Sequence, residues 1–168
     1  MIISYYGKGK GKTTAALGSA LRASGYGKKI LFVQFIKGDF PTGEDEALAK
    51  ISNLTHKKFG LGFVGILGDE RKLAEHQEAA QGGMRFVMEN AENFDIVILD
   101  EVFGAIKGKL LDENSVIALL KAIKNQDLIM TGRPKISDLL NCSDLVTEMK
   151  QIKHPFETGT QAKKGIDF

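Results

Sequence analysis

The strongest restriction on the fold of this chain comes from an alternating run near its start, Gly7, Lys8, Gly9, Lys10, Gly11, Lys12, Thr13 and Thr14. Residues 1–6 are β-branched and aromatic and predict a buried strand, whereas residues 13–24, with Gly25 beyond them, predict a helix with a glycine stop. Glycines between a strand and a helix let backbone N–H groups turn towards an anion, and the helix N-terminus adds a favourable dipole. The run therefore predicts a loop that binds a triphosphate.

Two side chains of this loop have the chemistry that a bound triphosphate requires. Lys12 is expected to reach phosphate oxygens, and the hydroxyl of Thr13 is expected to ligate Mg²⁺. The usual spacing of such loops has a glycine five positions before Gly11, where this chain has Tyr6. We therefore expect the loop to hold phosphates differently from the loop of an ordinary hydrolase or kinase.

Strand-like and helix-like segments alternate along the rest of the chain. Strands are predicted at residues 29–35, 54–59, 95–99, 128–130 and 145–150, and helices at residues 44–51, 112–124 and 136–141. Residues 69–90 also have a helical composition, with an interruption expected at Gly82 and Gly83, and Asp112 is placed to cap its helix. The alternation predicts one α/β domain over residues 1–168, a mainly parallel sheet with helices on both faces.

An acidic pair, Asp100 and Glu101, closes the apolar run of residues 96–99. Open α/β sheets bind their ligands at the carboxyl ends of the strands, and a carboxylate there can hold Mg²⁺ directly or through water. Gln34 and Arg133 end two other predicted strands at the same edge. Contact with a nucleotide and a purely structural role are equally open for each of them.

The charge balance argues against a nucleic-acid partner. Lysine and arginine total 23 against 21 acidic residues, so the net charge is only +2. The positive charges are concentrated near the loop, which suits a compact anion. No apolar stretch approaches the ~20 residues that span a bilayer. The first residues carry no export signal, so we expect a cytoplasmic protein without membrane contact.

Histidine and cysteine form no catalytic or metal-binding pattern. The single cysteine, Cys142, excludes an intramolecular disulfide and is expected to be a small buried side chain. His56, His76 and His154 show no metal-ligand spacing, and we expect structural roles for them.

Taken in chain order, these motifs resemble the ATP:corrinoid adenosyltransferases, the family that includes the bacterial cob(I)alamin adenosyltransferase of the P-loop type. The matching stretches are residues 7–18 (GKGKGKTTAALG), 33–38 (VQFIKG), 62–63 (GF), 97–101 (VILDE), 131–133 (TGR), 144–148 (DLVTE), 153–156 (KHPF) and 165–168 (GIDF). The resemblance implies a P-loop NTPase-like (RecA-like) α/β fold. It also implies a homodimer, with a flavoprotein as one candidate source of reducing electrons.

The resemblance implies a transfer reaction and not a hydrolysis. In this family the Co(I) corrinoid attacks the 5′ carbon of the ATP ribose, and inorganic triphosphate leaves. The implied substrates are thus ATP and a Co(I) corrinoid, with Mg²⁺ as cofactor. The family binds ATP in the loop in reversed orientation, which would account for the unusual glycine spacing.

The residue roles carried over by the resemblance follow the motifs. The loop of residues 7–14 would hold the triphosphate, with Lys12 neutralising charge on the leaving group, and Thr13 and Glu101 would hold Mg²⁺ with help from Asp100. Family members often have Gly-Phe-Thr-Trp at residues 62–65, whereas this chain has no tryptophan. Phe63 is therefore the aromatic expected to crowd the lower face of the corrin.

Two other functions stay open from the residues alone. A nucleotide kinase or ATPase could use the same loop for phosphoryl transfer, although it would normally carry the standard glycine spacing. A non-catalytic module could hold ATP or a reduced corrinoid and pass it to a partner. The products formed from ATP and a reduced corrinoid would distinguish adenosyl transfer from these two functions.

Overall fold

The computed structural model describes residues 1–38, 41–62, 64–65 and 69–166, and strands and helices alternate through this part of the chain. The strands are β1 (Ile2–Tyr6), β2 (Ile30–Gln34), β3 (Leu54–Lys58), β4 (Ile96–Asp100), β5 (Asp127–Gly132) and β6 (Leu145–Glu148). The α-helices are α1 (Lys12–Ser24), α2 (Gly43–Leu48), α3 (Leu73–Asn90), α4 (Val102–Lys107), α5 (Glu113–Ala122) and α6 (Ser137–Asn141). Two short 3₁₀ helices lie at Ala91–Asn93 and Pro155–Thr158.

The six strands form one sheet in the order β3-β2-β4-β5-β1-β6, and every neighbouring pair is parallel. Strand β5 thus lies between β1, which leads into the glycine-rich loop, and β4, which ends in Asp100. Because all strands run the same way, their carboxyl ends share one edge of the sheet. The parallel sheet confirms the expected fold class, and it brings the glycine-rich loop and Asp100 to that edge.

Helices cover both faces of the sheet, as strand β2 shows. Ile30 and Phe32 pack in a cluster with Ala16 of α1 and Leu48 of α2. The alternate residues of β2 pack instead with residues of α3, α4, α5 and α6, in a cluster that contains Leu31. All five residues of β2 are buried, which explains why this strand is continuously apolar up to its last residue.

Helix α3 passes through its two glycines without a break, so the interruption predicted there is wrong. A Cβ atom on Gly83 would lie 3.0 Å from ring or Cβ atoms of Phe35 and Phe59, whereas the nearest atom to a Cβ on Gly82 is 3.7 Å away. Gly83 therefore serves close packing of α3 against the sheet. Composition alone cannot distinguish this use of glycine from a helix stop.

Other local expectations had mixed outcomes. The predicted cap is confirmed, because the Asp112 side chain accepts a hydrogen bond from the Ser115 backbone N–H at 3.2 Å. Cys142 is exposed, contrary to the buried position expected for it, because it caps the end of α6 shortly before the edge strand β6, whose four residues are all exposed. Helix α4 was not predicted. Among the described residues, no helix has the length and apolar content to cross a membrane.

Candidate active site

The alternating glycines of the loop are required for two different structural reasons. Gly7, at φ 114°, and Gly9 lie against the chain that leaves β6, and Gly9 N–H donates a 2.7 Å hydrogen bond to the Met149 carbonyl. A Cβ on Gly7 would collide with that carbonyl, and one on Gly9 would lie 2.8 Å from the Lys150 carbonyl carbon. Close approach of a distant backbone therefore requires these two glycines, which sequence reasoning attributed to phosphate binding alone.

Gly11 is needed for its conformation. It caps α1 in the left-handed region, at φ 109°, where a side chain is unfavourable, although a Cβ would meet only the Met149 sulfur at 3.7 Å. The first turn of α1 contains no acidic residue. No acidic side chain there offsets the positive end of the helix dipole, so the start of α1 is suited to an anion.

Lys12 is the buried cation of the loop. Its side chain is only 6% exposed, and Nζ donates a 2.8 Å hydrogen bond to the Gly9 carbonyl. Burial lowers the pKa of the Lys12 ammonium, while the Glu101 carboxylate acts in the opposite direction. The ammonium is thus held ready for an anion that compensates its lost hydration.

Asp100 is the centre of a buried hydrogen-bond network. Its Oδ1 accepts from the hydroxyls of Thr13, at 2.8 Å, and Thr131, at 2.7 Å. Its Oδ2 accepts from Gln34 Nε2 at 2.9 Å, and the residue is fully buried. The register explains the assembly, because Gln34 pairs with Asp100 and neighbouring side chains in parallel strands point to the same face.

Glu101 turns its carboxyl towards the loop by leaving the strand conformation. It sits at φ 59° as the N-cap of α4, and its N–H donates to Thr131 Oγ1 at 2.9 Å. Burial raises the pKa of the Glu101 carboxyl, and the Asp100 charge raises it further, against the opposing effect of Lys12. Two adjacent carboxyls in this situation favour a bound cation.

The loop forms the floor of a cleft of about 580 Å³. Most of the predicted nucleotide-binding residues line it, namely Lys8, Gly9, Lys10, Gly11, Lys12, Thr13, Thr14, Glu101 and Arg133. Helix α2 contributes Glu44 and Ala47 to the opposite wall, and a 3.6 Å ion pair joins Glu44 to Lys37. The tail crosses this region too, because Lys10 Nζ donates to the Ile166 carbonyl at 2.6 Å.

Three of the described site residues do not line this cleft, namely Gly7, Gln34 and the fully buried Asp100. Gly7 lines a neighbouring groove of about 550 Å³ together with Arg133, which borders both depressions. Gln34 is 3% exposed and lies behind Asp100, with both ends of its amide used by protein partners. Phe63, the residue expected to face the corrin, lies outside the described residues.

Sequence reasoning missed the extension of the Asp100 network across the sheet. His56 Nε2 lies 3.0 Å from Gln34 Oε1, and His56 Nδ1 lies 3.7 Å from Oδ1 of Asp45 on α2. Lys58 Nζ and Asp45 Oδ2 are 2.6 Å apart. Period-two spacing along β3 places His56 and Lys58 on one face, which was the available signal.

The oxygen atoms around the loop suit Mg²⁺. Among the described residues, no group of three or more His, Cys, Asp and Glu side chains could hold a metal alone. Mg²⁺ commonly takes one or two carboxylates, several waters and substrate phosphates. The hydroxyl of Thr13 with the carboxyls of Asp100 and Glu101 provides such a partial set, so these residues fit a magnesium ion shared with a triphosphate.

A parallel sheet with a phosphate loop after β1 and an acid pair after β4 defines a P-loop NTPase-like protein. Solved structures agree with this fold. A flagellar accessory protein FlaH from Methanocaldococcus jannaschii matches with a TM-score of 0.57 and 13% identity over 88% of this chain and 69% of that one. A KaiC-like protein from Pyrococcus horikoshii matches with a TM-score of 0.51 and 17% identity over 91% and 74%.

The chain belongs to the ATP:corrinoid adenosyltransferase family, since the family model described as ATP:corrinoid adenosyltransferase BtuR/CobO/CobP matches residues 1–168. The corrinoid adenosyltransferase of Escherichia coli K12 is 37% identical over all of this chain and 85% of the relative. The Salmonella typhimurium enzyme gives the same identity and coverage, and the Pseudomonas aeruginosa enzyme is 32% identical over all of this chain and 83% of the relative. These findings confirm the family expected from the motifs.

Proposed function

We propose that this protein transfers the 5′-deoxyadenosyl group of ATP to the cobalt of a reduced Co(I) corrinoid and releases inorganic triphosphate. An electron pair of cobalt forms the bond to the 5′ carbon, and the bond from that carbon to the triphosphate oxygen breaks. Its electron pair leaves with the triphosphate. The observation that carries the proposal is the buried Lys12 ammonium beside Glu101, in a chain that belongs to this family.

The contribution of the protein is to stabilise the leaving group. Negative charge grows on the triphosphate as the carbon–oxygen bond breaks, and a cation fixed in advance stabilises that charge without reorganisation. Lys12 is such a cation, because burial and its hydrogen bond to the Gly9 carbonyl restrict its ammonium to the loop. Co(I) is a strong nucleophile, so the reaction requires no protein base.

We assign the remaining polar residues by their positions. Thr13 and Glu101 would hold Mg²⁺, supported by Asp100, and the ion when bound would neutralise part of the triphosphate charge. Lys8, Lys10, Thr14 and Arg133 line the same cleft and would contact phosphates. Gln34 would act on the nucleotide indirectly, through Asp100.

One reaction mixture tests the proposal: the protein with ATP, Mg²⁺ and chemically reduced cobalamin. We expect the corrinoid absorbance to change to that of adenosylcobalamin, with triphosphate released in equal amount. ADP or free phosphate without a new corrinoid would contradict adenosyl transfer and favour phosphoryl transfer. Binding of both substrates without turnover would instead favour a non-catalytic module.

Finer features follow from the family resemblance and are proposals of the same kind. The acceptor would be cob(I)alamin or cob(I)yrinic acid a,c-diamide, which parallel assays with the two corrinoids would compare. The protein would act as a cytoplasmic homodimer that takes electrons from a flavoprotein. Light scattering at assay concentrations tests the dimer, and a monomer mass would contradict it.

A further inference from the structure

A line of buried and partly buried polar side chains runs away from Asp100 across three adjacent strands. Asp100 on β4 accepts from Gln34 on β2 at 2.9 Å, and the other end of the Gln34 amide lies 3.0 Å from His56 Nε2 on β3. Gln34 is 3% exposed, so water is a poor substitute for either partner. The Asp100 carboxylate is therefore connected to a histidine that does not line the cleft.

The direction of the hydrogen bonds along this line is determined by the glutamine. A primary amide has one donating and one accepting end, and the donating end faces Asp100. The accepting oxygen then faces His56, whose Nε2 must carry a proton. Burial lowers the pKa of His56, against the opposing charge of Asp45, which favours the neutral ring with one N–H. The other charged groups facing this ring are Lys58, Lys37 and Asp100.

The far end of the line reaches the opposite wall of the cleft. Asp45 Oδ2 accepts from Lys58 Nζ at 2.6 Å and from the Thr42 backbone N–H at 2.8 Å. Its Oδ1 is buried with no hydrogen-bond partner among the described residues and lies 3.7 Å from His56 Nδ1. Asp45 adjoins Glu44, which lines the cleft. The ring of His56 thus lies between the α2 wall and the acidic strand end.

We propose that His56 is a positioning residue for the magnesium site: its Nε2–H orients the Gln34 amide, and that amide orients the Asp100 carboxylate towards Thr13. The inference rests on the proposed function, because it assumes that Thr13, Asp100 and Glu101 hold Mg²⁺ with ATP. Without the His56 proton, the buried Gln34 oxygen loses its donor, and the amide is no longer held at both ends. Its hydrogen bond to Asp100 can then lengthen, which leaves the carboxylate less firmly oriented towards Thr13.

Three substitutions separate this role from simple packing. His56→Gln can place an N–H near the position of Nε2, and His56→Asn can place its amide only near Nδ1. His56→Phe keeps the ring that contacts Phe32 at a centroid distance of 5.2 Å but removes both nitrogens. The measurement is calorimetric titration of each protein with ATP, once with Mg²⁺ and once with a chelator. The dissociation constant measured with the chelator, divided by the one measured with Mg²⁺, reports the coupling between metal and nucleotide.

We expect the ratio in His56→Gln to match that of the wild-type protein. In His56→Asn and His56→Phe we expect it to fall about three- to tenfold, the loss of roughly one buried hydrogen bond, with metal-free ATP affinity unchanged. Thermal unfolding identifies any variant that does not fold, and either remaining variant decides the question.

Two results would overturn the proposal alone: an unchanged ratio in His56→Asn or His56→Phe, or an equal fall in His56→Gln. A different result, equal ATP affinity of the wild-type protein with and without Mg²⁺, would overturn the magnesium site itself and this role with it. The wild-type titration therefore distinguishes failure of the proposed function from failure of the His56 role.

Discussion

Thr13 and Asp100 lie 87 positions apart in the chain, and the Thr13 hydroxyl donates a 2.8 Å hydrogen bond to Asp100 Oδ1. The bond joins the first turn of α1 to the end of β4, the two elements that supply the phosphate loop and the acid pair. Because Asp100 is fully buried, water does not compete for the bond. The distance between loop and acid pair is therefore set by the fold itself.

Replacement of Lys12 by alanine should remove most of the activity without unfolding the protein. Loss of one preorganised stabilising group at a reacting centre commonly costs on the order of 10²–10³-fold in kcat. The unfolding midpoint in the absence of ATP should not fall, because burial already disfavours the charged form of Lys12. Initial rates of adenosylation and a thermal melt measure the two effects.

The control for Lys12→Ala is Lys121→Ala, at an exposed position on α5. It removes the same charge away from the cleft and should leave the rate unchanged. A Lys12→Ala protein with the wild-type rate would contradict the role assigned to this ammonium.

Thr131→Val should destabilise the protein by about 1–3 kcal/mol, since Asp100 and the Glu101 N–H each lose one hydrogen bond. The Thr131 hydroxyl donates to Asp100 and accepts from the Glu101 N–H, and valine has nearly the same shape. Urea unfolding measures the difference. The same substitution at the exposed Thr147 of β6 should change the free energy of unfolding by less than about 0.5 kcal/mol. Equal effects at the two positions would show that the network around Asp100 adds nothing to stability.

Alanine at the two glycines of α3 should have clearly different effects. Both substitutions gain about 1 kcal/mol of helix propensity. Only a Cβ on Gly83 must displace Phe35 and Phe59, and overpacking of a core costs about 1–3 kcal/mol. We therefore expect Gly82→Ala to be more stable than Gly83→Ala by about 1–3 kcal/mol in urea unfolding, a difference in which the shared propensity gain cancels. Equal stabilities would mean that the packing of α3 adjusts freely.

The Glu101 carboxyl should make stability fall as the pH rises. Its pKa is raised in the folded state, so between the unfolded and folded pKa values the folded protein holds the extra proton. The free energy of unfolding therefore falls as the pH rises through that range and stays lower above it. Glu101→Gln should consequently be more stable than the wild-type protein at pH 7, and the advantage should shrink as the pH falls towards 4.

Urea midpoints measured at several pH values test this dependence, with Glu89→Gln as the control. Glu89 is an exposed carboxyl on α3, and its replacement should shift the midpoint little. An advantage of Glu101→Gln that grows towards acid pH would contradict the assignment.

The elements and the loop were predictable because they depend on local patterns. Apolar runs indicated the strands, and the glycine stop indicated the end of α1. The joint position of Lys12 and Glu101 followed from the rule that parallel strands share one carboxyl edge. The α4 helix was not predictable in the same way, because its N-cap residue, Glu101, has a left-handed conformation that no local sequence pattern signals.

The remaining features depend on contacts between distant segments. Gly7 and Gly9 owe their identity to the Met149 backbone, and Gly83 to the ring of Phe35, neither of which is near in sequence. The spacing of His56 and Lys58 indicates only a shared face of β3, because the partner of His56, Gln34, is identified only when the register of β2 and β3 is known. Packing and strand register, and not composition, determine which residue such positions require.

The contact between the loop and Met149 has a consequence for protein synthesis. The sheet neighbours of β1 are β5 and β6, so this strand pairs with two strands that are synthesised much later than it is. The backbone that supports Gly9 is likewise translated about 140 residues after the loop. A nascent chain thus carries its phosphate loop long before the Met149 backbone that completes the shape of that loop, so nucleotide binding is expected to begin only after residue 149 has been synthesised.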